Sequence, residues 1–448
     1  KNAPPILSVG IPVIGTFMGF AKGPVAFVRS AYDKLGGVFT MRMFGQRLTF
    51  LIGPDAHHAF FDAREADASQ AEVYKFMTPV FGKGIVYDAP TLVRMQQMKF
   101  VGSSLKSAAL QSYIPKIINE AEMFLAAWGD SGEVNMMEKM SELTILTASR
   151  TLMGREIREN LFAEVANLYH DLDAGITPLS VFFPNAPIPV HFTRNRARKE
   201  MVKLFSKVIK SRRESGARQD DCLQAFMECT YKDGTALTDE AITGLMIALL
   251  FAGQHTSSIT TTWTIMFIIH TPHVLQQCLD EQQEVLGSLS PNAPLSWEAL
   301  GKFDVLHRCI KEALRLFPPL IFVMRKLKRD LKVGDHIVPK GDTIFASPAV
   351  SMRVPGVFTN PDQFDPDRFS PERAEDRKKP YSFVGFGGGI HACVGEPFAY
   401  AQVKTILSVM LRRYVLTPVS KEVPTANYEA MVVGPQAGAT NVKYTTRV

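Results

Sequence analysis

Apolar residues recur three and four positions apart over most of this chain, the spacing of helices with one face in a core, and short β-type runs break that pattern in only two patches. The periodicity predicts helices over about 24–35, 89–108, 111–128, 136–153, 158–173, 193–214, 238–270, 272–286, 303–317 and 396–414. Strands are expected in GVFTMRMFGQRLTFLI (37–52), as a pair around a turn at Gly45, and in LKVGDHIVPKGDTIF (331–345), with Gly-Asp turns. The fold class is therefore mainly α with minor β, with a small sheet region near the N-terminus.

The longest predicted helix needs a choice of solvent. Residues 241–279 contain no Asp, Glu, Lys or Arg, long enough for a membrane span. Its centre, GQHTSSITTT, is too polar for lipid, so the segment reads as a helix through a large protein core. The opening KNAPPILSVGIPVIG reads as a Pro-rich non-helical lead, and no signal peptide or N-terminal span is visible; an anchor is expected to be absent or removed. TPLSVFFPNAPIPVHF (177–192) mixes Pro with large apolar side chains ahead of a basic helix. It suits either an ordinary packed connection or a loop dipping into a membrane interface. With no repeat, low-complexity tract or clean linker, residues 1–448 are expected to form a single catalytic domain.

Composition removes other classes. Hydrophobic residues at 46% and charged ones at 21% exclude disorder and fibrous repeats. The net charge is +6, and base collects in RNRARK (194–199). That run continues at helical spacing, so it reads as a solvated helix face rather than a nucleic-acid surface, suited to an acidic partner or an anionic membrane. Five cysteines, an odd number with no C-x-x-C, argue against disulfide frameworks and zinc ribbons. With no N-x-S/T site, a reducing, cytosol-facing compartment is expected.

Candidate chemistry concentrates in FGGGIHACVG (386–395). Cys393 stands just before a helix with Pro397 in its first turn, where free amides stabilise a thiolate. Such a thiolate is a nucleophile, with His391 two residues away as its base, or a metal ligand such as a haem iron takes. A buried structural cysteine would not require glycines at 387, 388, 389 and 395. Upstream, Glu312 and Arg315 in KEALR form the sole Glu-x-x-Arg, with both charges on one helix face.

These motifs together resemble the cytochrome P-450 family. Phe386, Gly389, Cys393 and Gly395 match its haem loop, F-x-x-G-x-x-x-C-x-G, and Arg368 in PDRF matches the arginine that completes a buried Glu312–Arg315 network. The resemblance implies the cytochrome P-450 fold, with a long central helix over haem b, Cys393 as the metal ligand, and glycines that let the backbone approach a flat porphyrin. In FAGQHTS, Thr256 can bond back to the Ala252 carbonyl and open the helix beside Gly253. His255 stands where most members carry an acid, which resembles the sterol 14α-demethylases, as does YKFMTPVFGKGIVYD (74–88).

That closer resemblance implies a set of roles. Tyr74, Tyr87, Arg325 and His391 are expected against the haem and its propionates, together with Arg94 in VRMQQMK, which is shifted from its place in some relatives. Phe76, Met77, Phe81, Phe251, Ala252, Leu320, Phe322, Met324, Met431 and Val432 are expected to line a sterol cavity. Phe76 points to sterols with one C4 methyl, such as obtusifoliol, over lanosterol, because its ring would fill the space of the second. Thr256 and His255 would deliver protons while electrons arrive from NADPH through a reductase. Three oxidations would remove the 14α-methyl group at the cytosolic face of the endoplasmic reticulum membrane, and azole-type inhibitors would ligate the iron. Competing readings are another haem-thiolate hydroxylase of lipids or xenobiotics, a haem-bearing sterol binder without turnover, and a nucleic-acid binder, for which no nucleic acid is expected as a partner.

Overall fold

The computed structural model describes residues 2–8, 14–43 and 45–447. Its longer helices are α1 (Ile14–Lys22), α2 (Pro24–Leu35), α3 (Pro54–Phe61), α4 (Thr91–Ser104), α5 (Ser107–Ala126), α6 (Met136–Ala148), α7 (Phe162–Ala174), α8 (Pro189–Ser215), α9 (Asp239–His270), α10 (Pro272–Leu286), α11 (Asp304–Leu316) and α12 (Glu396–Arg413). The helix α9 starts where Thr238 accepts from the Ala241 amide at 3.1 Å, with Asp239 and Glu240 favourable at its positive end. It then runs through the main apolar core, packed by α6, α8, α11 and α12, and its residues 257–269 are buried without a break. This helix is long and apolar enough to cross a membrane, yet most of its side chains are buried inside the protein.

The principal sheet joins distant parts of the chain. Strands β1 (Val38–Met43), β2 (Gln46–Leu51), β3 (Ala68–Ser69), β4 (Val323–Leu327) and β5 (Thr343–Ala346) lie in the order β1-β2-β5-β4-β3. Parallel pairing of β2 with β5, Leu48 opposite Thr343, fuses the two β patches read from sequence into one sheet, so the β region is not confined to the N-terminus. Ser131–Asn135, Asn441–Thr446 and Tyr414–Pro418 form a separate antiparallel sheet that periodicity did not reveal. The first of these strands is mostly exposed and presents no apolar alternation.

Other differences are local. The Pro-rich lead already turns helical at Ile14, the start of α1; residues 1 and 9–13, and Phe44 before the Gly45 turn, lie outside the described residues. The expected helices at 136–153 and 158–173 each contain a widened π-type turn, at Ser149–Met153 and Ile157–Leu161. The basic run is only half solvated. Arg196 and Lys199 are exposed, but Arg194 and Arg198 are buried, donating to the Pro184 carbonyl (2.8 Å) and the Phe81 carbonyl (3.0 Å).

Candidate active site

The Cys393 loop is shaped by what lies beneath it. Gly387 and Gly389 hold φ of +71° and +64°, in the left-handed region, and a Cβ at Gly389 would run into the Phe61 carbonyl at the end of α3. A Cβ at Gly388 would meet the Tyr381 ring at 2.7 Å. The glycines at 388 and 389 are thus required by packing against α3 and Tyr381, a reason the sequence reading, which assigned them to porphyrin approach, did not contain. The loop closes with the Cys393 amide donating to the Phe386 carbonyl at 2.9 Å, while the Phe386 ring leans on Tyr400 at 5.2 Å.

Cys393 is an exposed residue, unlike buried Cys222, Cys278 and Cys309, although its sulfur is partly enclosed by the surrounding protein. Surrounding protein pushes its pKa up by burial and the Glu396 charge adds to this, while the Gly395 and Glu396 amides at the start of α12 pull it down. A metal cation at the sulfur reverses that balance, because it deprotonates the thiol it binds.

A second set of candidate residues sits on α9. Between buried Leu250 and buried Ser257, Ala252 is exposed, and a Cβ on Gly253 would meet nothing within 4 Å, so the helix borders open space here. The Thr256 hydroxyl donates back to the Ala252 carbonyl at 2.5 Å. His255 Nε2 lies 3.4 Å from Asp173 Oδ1 on α7. Sequence reasoning missed Asp173, an acid near a helix end with no motif around it.

Residues 74–88 form short helical turns rather than one helix, and their rings make a continuous wall. Tyr74 stacks on Tyr87 (5.1 Å, 26°), Tyr87 neighbours Phe81 (6.2 Å), and Phe81 meets Phe251 of α9 edge-on (6.1 Å). Phe76 is buried beside Tyr74, at 6.2 Å, and Met77 is partly buried. Burial raises the pKa of both tyrosines, so they stay neutral hydrogen-bonding phenols. Arg198, also missed from sequence, pins this wall to α8 through the Phe81 carbonyl. Leu320 and Met431 are exposed, Val432 packs near Ile259 and Trp263, and Phe322 and Met324 are half-buried against the sheet, with Phe322 stacked on Phe20 at 5.5 Å.

The expected porphyrin contacts come from separate segments. Arg325 on β4 is buried, its Nη1 donating to the Phe60 and Ala63 carbonyls (2.6 and 3.0 Å), and burial lowers its pKa to about 10, still charged at neutral pH. Arg94 and His391 both meet Glu65 Oε2, each at 3.0 Å, a carboxylate that sequence reasoning missed. The Arg94 Nη1 is buried with no acceptor. Among the described residues no group of His, Cys, Asp and Glu is arranged to hold a metal by itself, so a metal at Cys393 must bring its other ligands with it. An exposed cysteine at a helix start, open space beside Gly253 and an orphaned buried guanidinium together fit an iron porphyrin with anionic propionates.

Fold and site define a haem-thiolate protein. The family model for cytochrome P-450 matches residues 4–442, and the chain belongs to the cytochrome P-450 family. The fold is shared with a solved cyanobacterial structure, CYP120A1 with retinoic acid bound, at a TM-score of 0.86 and 22% identity over 99% of both chains. Full-length relatives include the sterol 14-demethylase of Arabidopsis thaliana, 45% identical over 100% of this chain and 92% of its own. The obtusifoliol 14-alpha demethylase of Triticum aestivum is 44% identical over 96% of both, and the lanosterol 14-alpha demethylase of Bos taurus 41% identical over 97% of this chain and 86% of its own. Within the family the chain is thus placed among the sterol 14-demethylases.

Proposed function

We propose that this chain is a sterol 14α-demethylase, a monooxygenase that takes the 14α-methyl group of a sterol precursor through alcohol and aldehyde to formate, leaving a Δ14 double bond. The observation that carries this reading is the aromatic wall from Tyr74 to Phe251, which links a segment of sterol-demethylase type to the open stretch of α9. Residues 1–448 act as one catalytic domain.

Bound haem supplies oxygen activation at an iron ligated by Cys393, with electrons from NADPH through a reductase. The chain does the rest. Arg94, Arg325, His391, Tyr74 and Tyr87 would hold the porphyrin, and Phe386 and Gly389 shape the Cys393 loop that would carry its iron. The apolar side chains of Phe76, Phe81 and Phe251 keep water from a substrate with few polar atoms. The Thr256 hydroxyl donates a hydrogen bond to the Ala252 carbonyl and must turn to present that O–H to the open space, while His255, its Nε2 3.4 Å from Asp173 Oδ1, stands one residue away as the proton source. The exposed base of α8 suits an anionic membrane surface and an acidic reductase. Azole-type inhibitors are expected ligands of the same iron.

The test is reconstitution with a reductase and NADPH, with obtusifoliol, lanosterol and lauric acid in competition and products identified by mass spectrometry. Preferential demethylation of obtusifoliol is the expected result. Turnover of lauric acid alone, with haem intact, would leave only the broader reading of a haem-thiolate hydroxylase of lipids or xenobiotics.

A further inference from the structure

The geometry points to Glu65 as the positioning residue that aims Arg94 and His391 at a porphyrin carboxylate. This rests on the reading of Arg94 and His391 as propionate contacts. Glu65 lies in the turn between α3 and β3, where a carboxylate commonly staples the chain to itself. Part of its bonding is of that kind: Oε1 accepts from the Ser69 hydroxyl at 2.8 Å and the Ala71 amide at 3.4 Å, and Oε2 from the Gln70 amide at 3.2 Å.

The remaining contacts reach outside the turn. Arg94 Nη2 on α4 forms an ion pair with Oε2 at 3.0 Å, and His391 Nε2 in the Cys393 loop lies 3.0 Å from the same oxygen. Burial alone would raise the Glu65 pKa, but hydrogen bonds from His391 and Ser69, the Arg94 charge and the Gln70 amide hold it well below the usual carboxylate range. It is therefore a fixed anion held between the Arg94 guanidinium and the His391 imidazole. Because a guanidinium is planar, binding Nη2 also fixes where Nη1 points. That Nη1 is the buried donor without an acceptor. Burying a charged donor unpaired is costly, and an arriving carboxylate removes the cost. Likewise, holding His391 by Nε2 leaves Nδ1 as the ring atom free to meet a ligand. The turn itself is tied down by Arg325, whose Nη1 binds the Phe60 and Ala63 carbonyls two and more residues before Glu65.

Outer partners of this kind typically change affinity by about 10–100-fold when lost. The experiment compares ferric holoenzyme of the parent, Glu65→Gln and Arg94→Met by two readouts, haem transfer to excess apomyoglobin and the propionate bending band in resonance Raman spectra. Both variants are expected to speed haem loss about tenfold or more and to shift the band. If Arg94→Met does both and Glu65→Gln neither, the inference fails while the reading of Arg94 stands; if neither variant does either, that reading fails and the inference with it. Faster haem loss in Glu65→Gln with an unmoved band would mean that Glu65 only staples its turn, and would also overturn the inference. Should Glu65→Gln not accumulate as folded protein, Glu65→Asp keeps the charge but withdraws it by one methylene; a shifted band supports the inference and an unmoved one overturns it.

Discussion

At the scale of single residues, two side chains make separable predictions. Phe76 is buried in the short turn beside Tyr74, where its ring fixes how much room remains next to the wall. One methyl group in such a pocket is worth roughly 1–3 kcal/mol, so Phe76→Leu should move the obtusifoliol-to-lanosterol ratio of kcat/KM about tenfold toward lanosterol, measured by competition. An unchanged ratio would show that selection lies elsewhere. His57 on α3 concerns stability. It is buried, and burial, only partly offset by a long 3.4 Å contact to the Tyr381 carbonyl, lowers its pKa from the ordinary 6.5 to about 4. The unfolded chain therefore binds a proton between these values that the folded one refuses, so His57 leaves stability unaffected well above pH 6.5 and opposes folding increasingly as pH falls toward 4. Between pH 7 and pH 5 the parent should lose about 2 kcal/mol through this group, and urea midpoints should show a His57→Phe variant without that part of the slope.

At the scale of elements, α11 and the Pro366–Phe369 turn depend on one buried network. Arg315 donates to both Glu312 oxygens (2.7 and 2.8 Å) and to the Pro361 carbonyl, while Arg368 reaches Glu312 Oε1 at 2.9 Å and Glu375 Oε2 at 3.1 Å. Glu312, Arg315 and Arg368 are fully enclosed. Arg368→Ala would leave Glu312 to Arg315 and Glu375 to Arg373, each short of one buried cationic partner, and should cost about 3–5 kcal/mol in a denaturant titration; a loss under 1 kcal/mol would mean that water reaches the gap. This network was legible because its members sit in recognisable words, KEALR and PDRF. So were α9, through its long run without Asp, Glu, Lys or Arg, and α12, which follows directly on the Cys393 loop. What escaped was written in three dimensions only: Glu65 meets Arg94 and His391 across the fold, Asp173 meets His255 from α7, and Arg198 hides a charge by bonding a carbonyl more than a hundred residues away. The small sheet around Asn441–Thr446 escaped for a different reason, since its exposed partner strand carries no hydrophobic alternation to read.

At the scale of the whole molecule, the distribution of exposed side chains predicts how it meets a bilayer. Phe183 and Phe192, each 62% exposed, crown the connection into α8, with Leu179 and Val190 exposed beside them. From Phe192 the solvent face of α8 continues through Arg196, Lys199, Lys203 and Lys207, all exposed and spaced three or four apart, so an apolar tip and a basic stripe share one edge. Aromatic insertion and attraction to anionic lipid should therefore be separable. A Phe183→Ser, Phe192→Ser double variant gives up most of the apolar burial, roughly 1 kcal/mol or more per ring, and should bind vesicles of either charge at least about tenfold more weakly while keeping its preference for anionic lipid. Lys199→Glu with Lys203→Glu should leave binding to neutral vesicles unchanged and abolish both the anionic preference and its weakening by salt. If sedimentation with vesicles shows neither change, this edge does not face the membrane, and the basic stripe is left to receive an acidic protein partner.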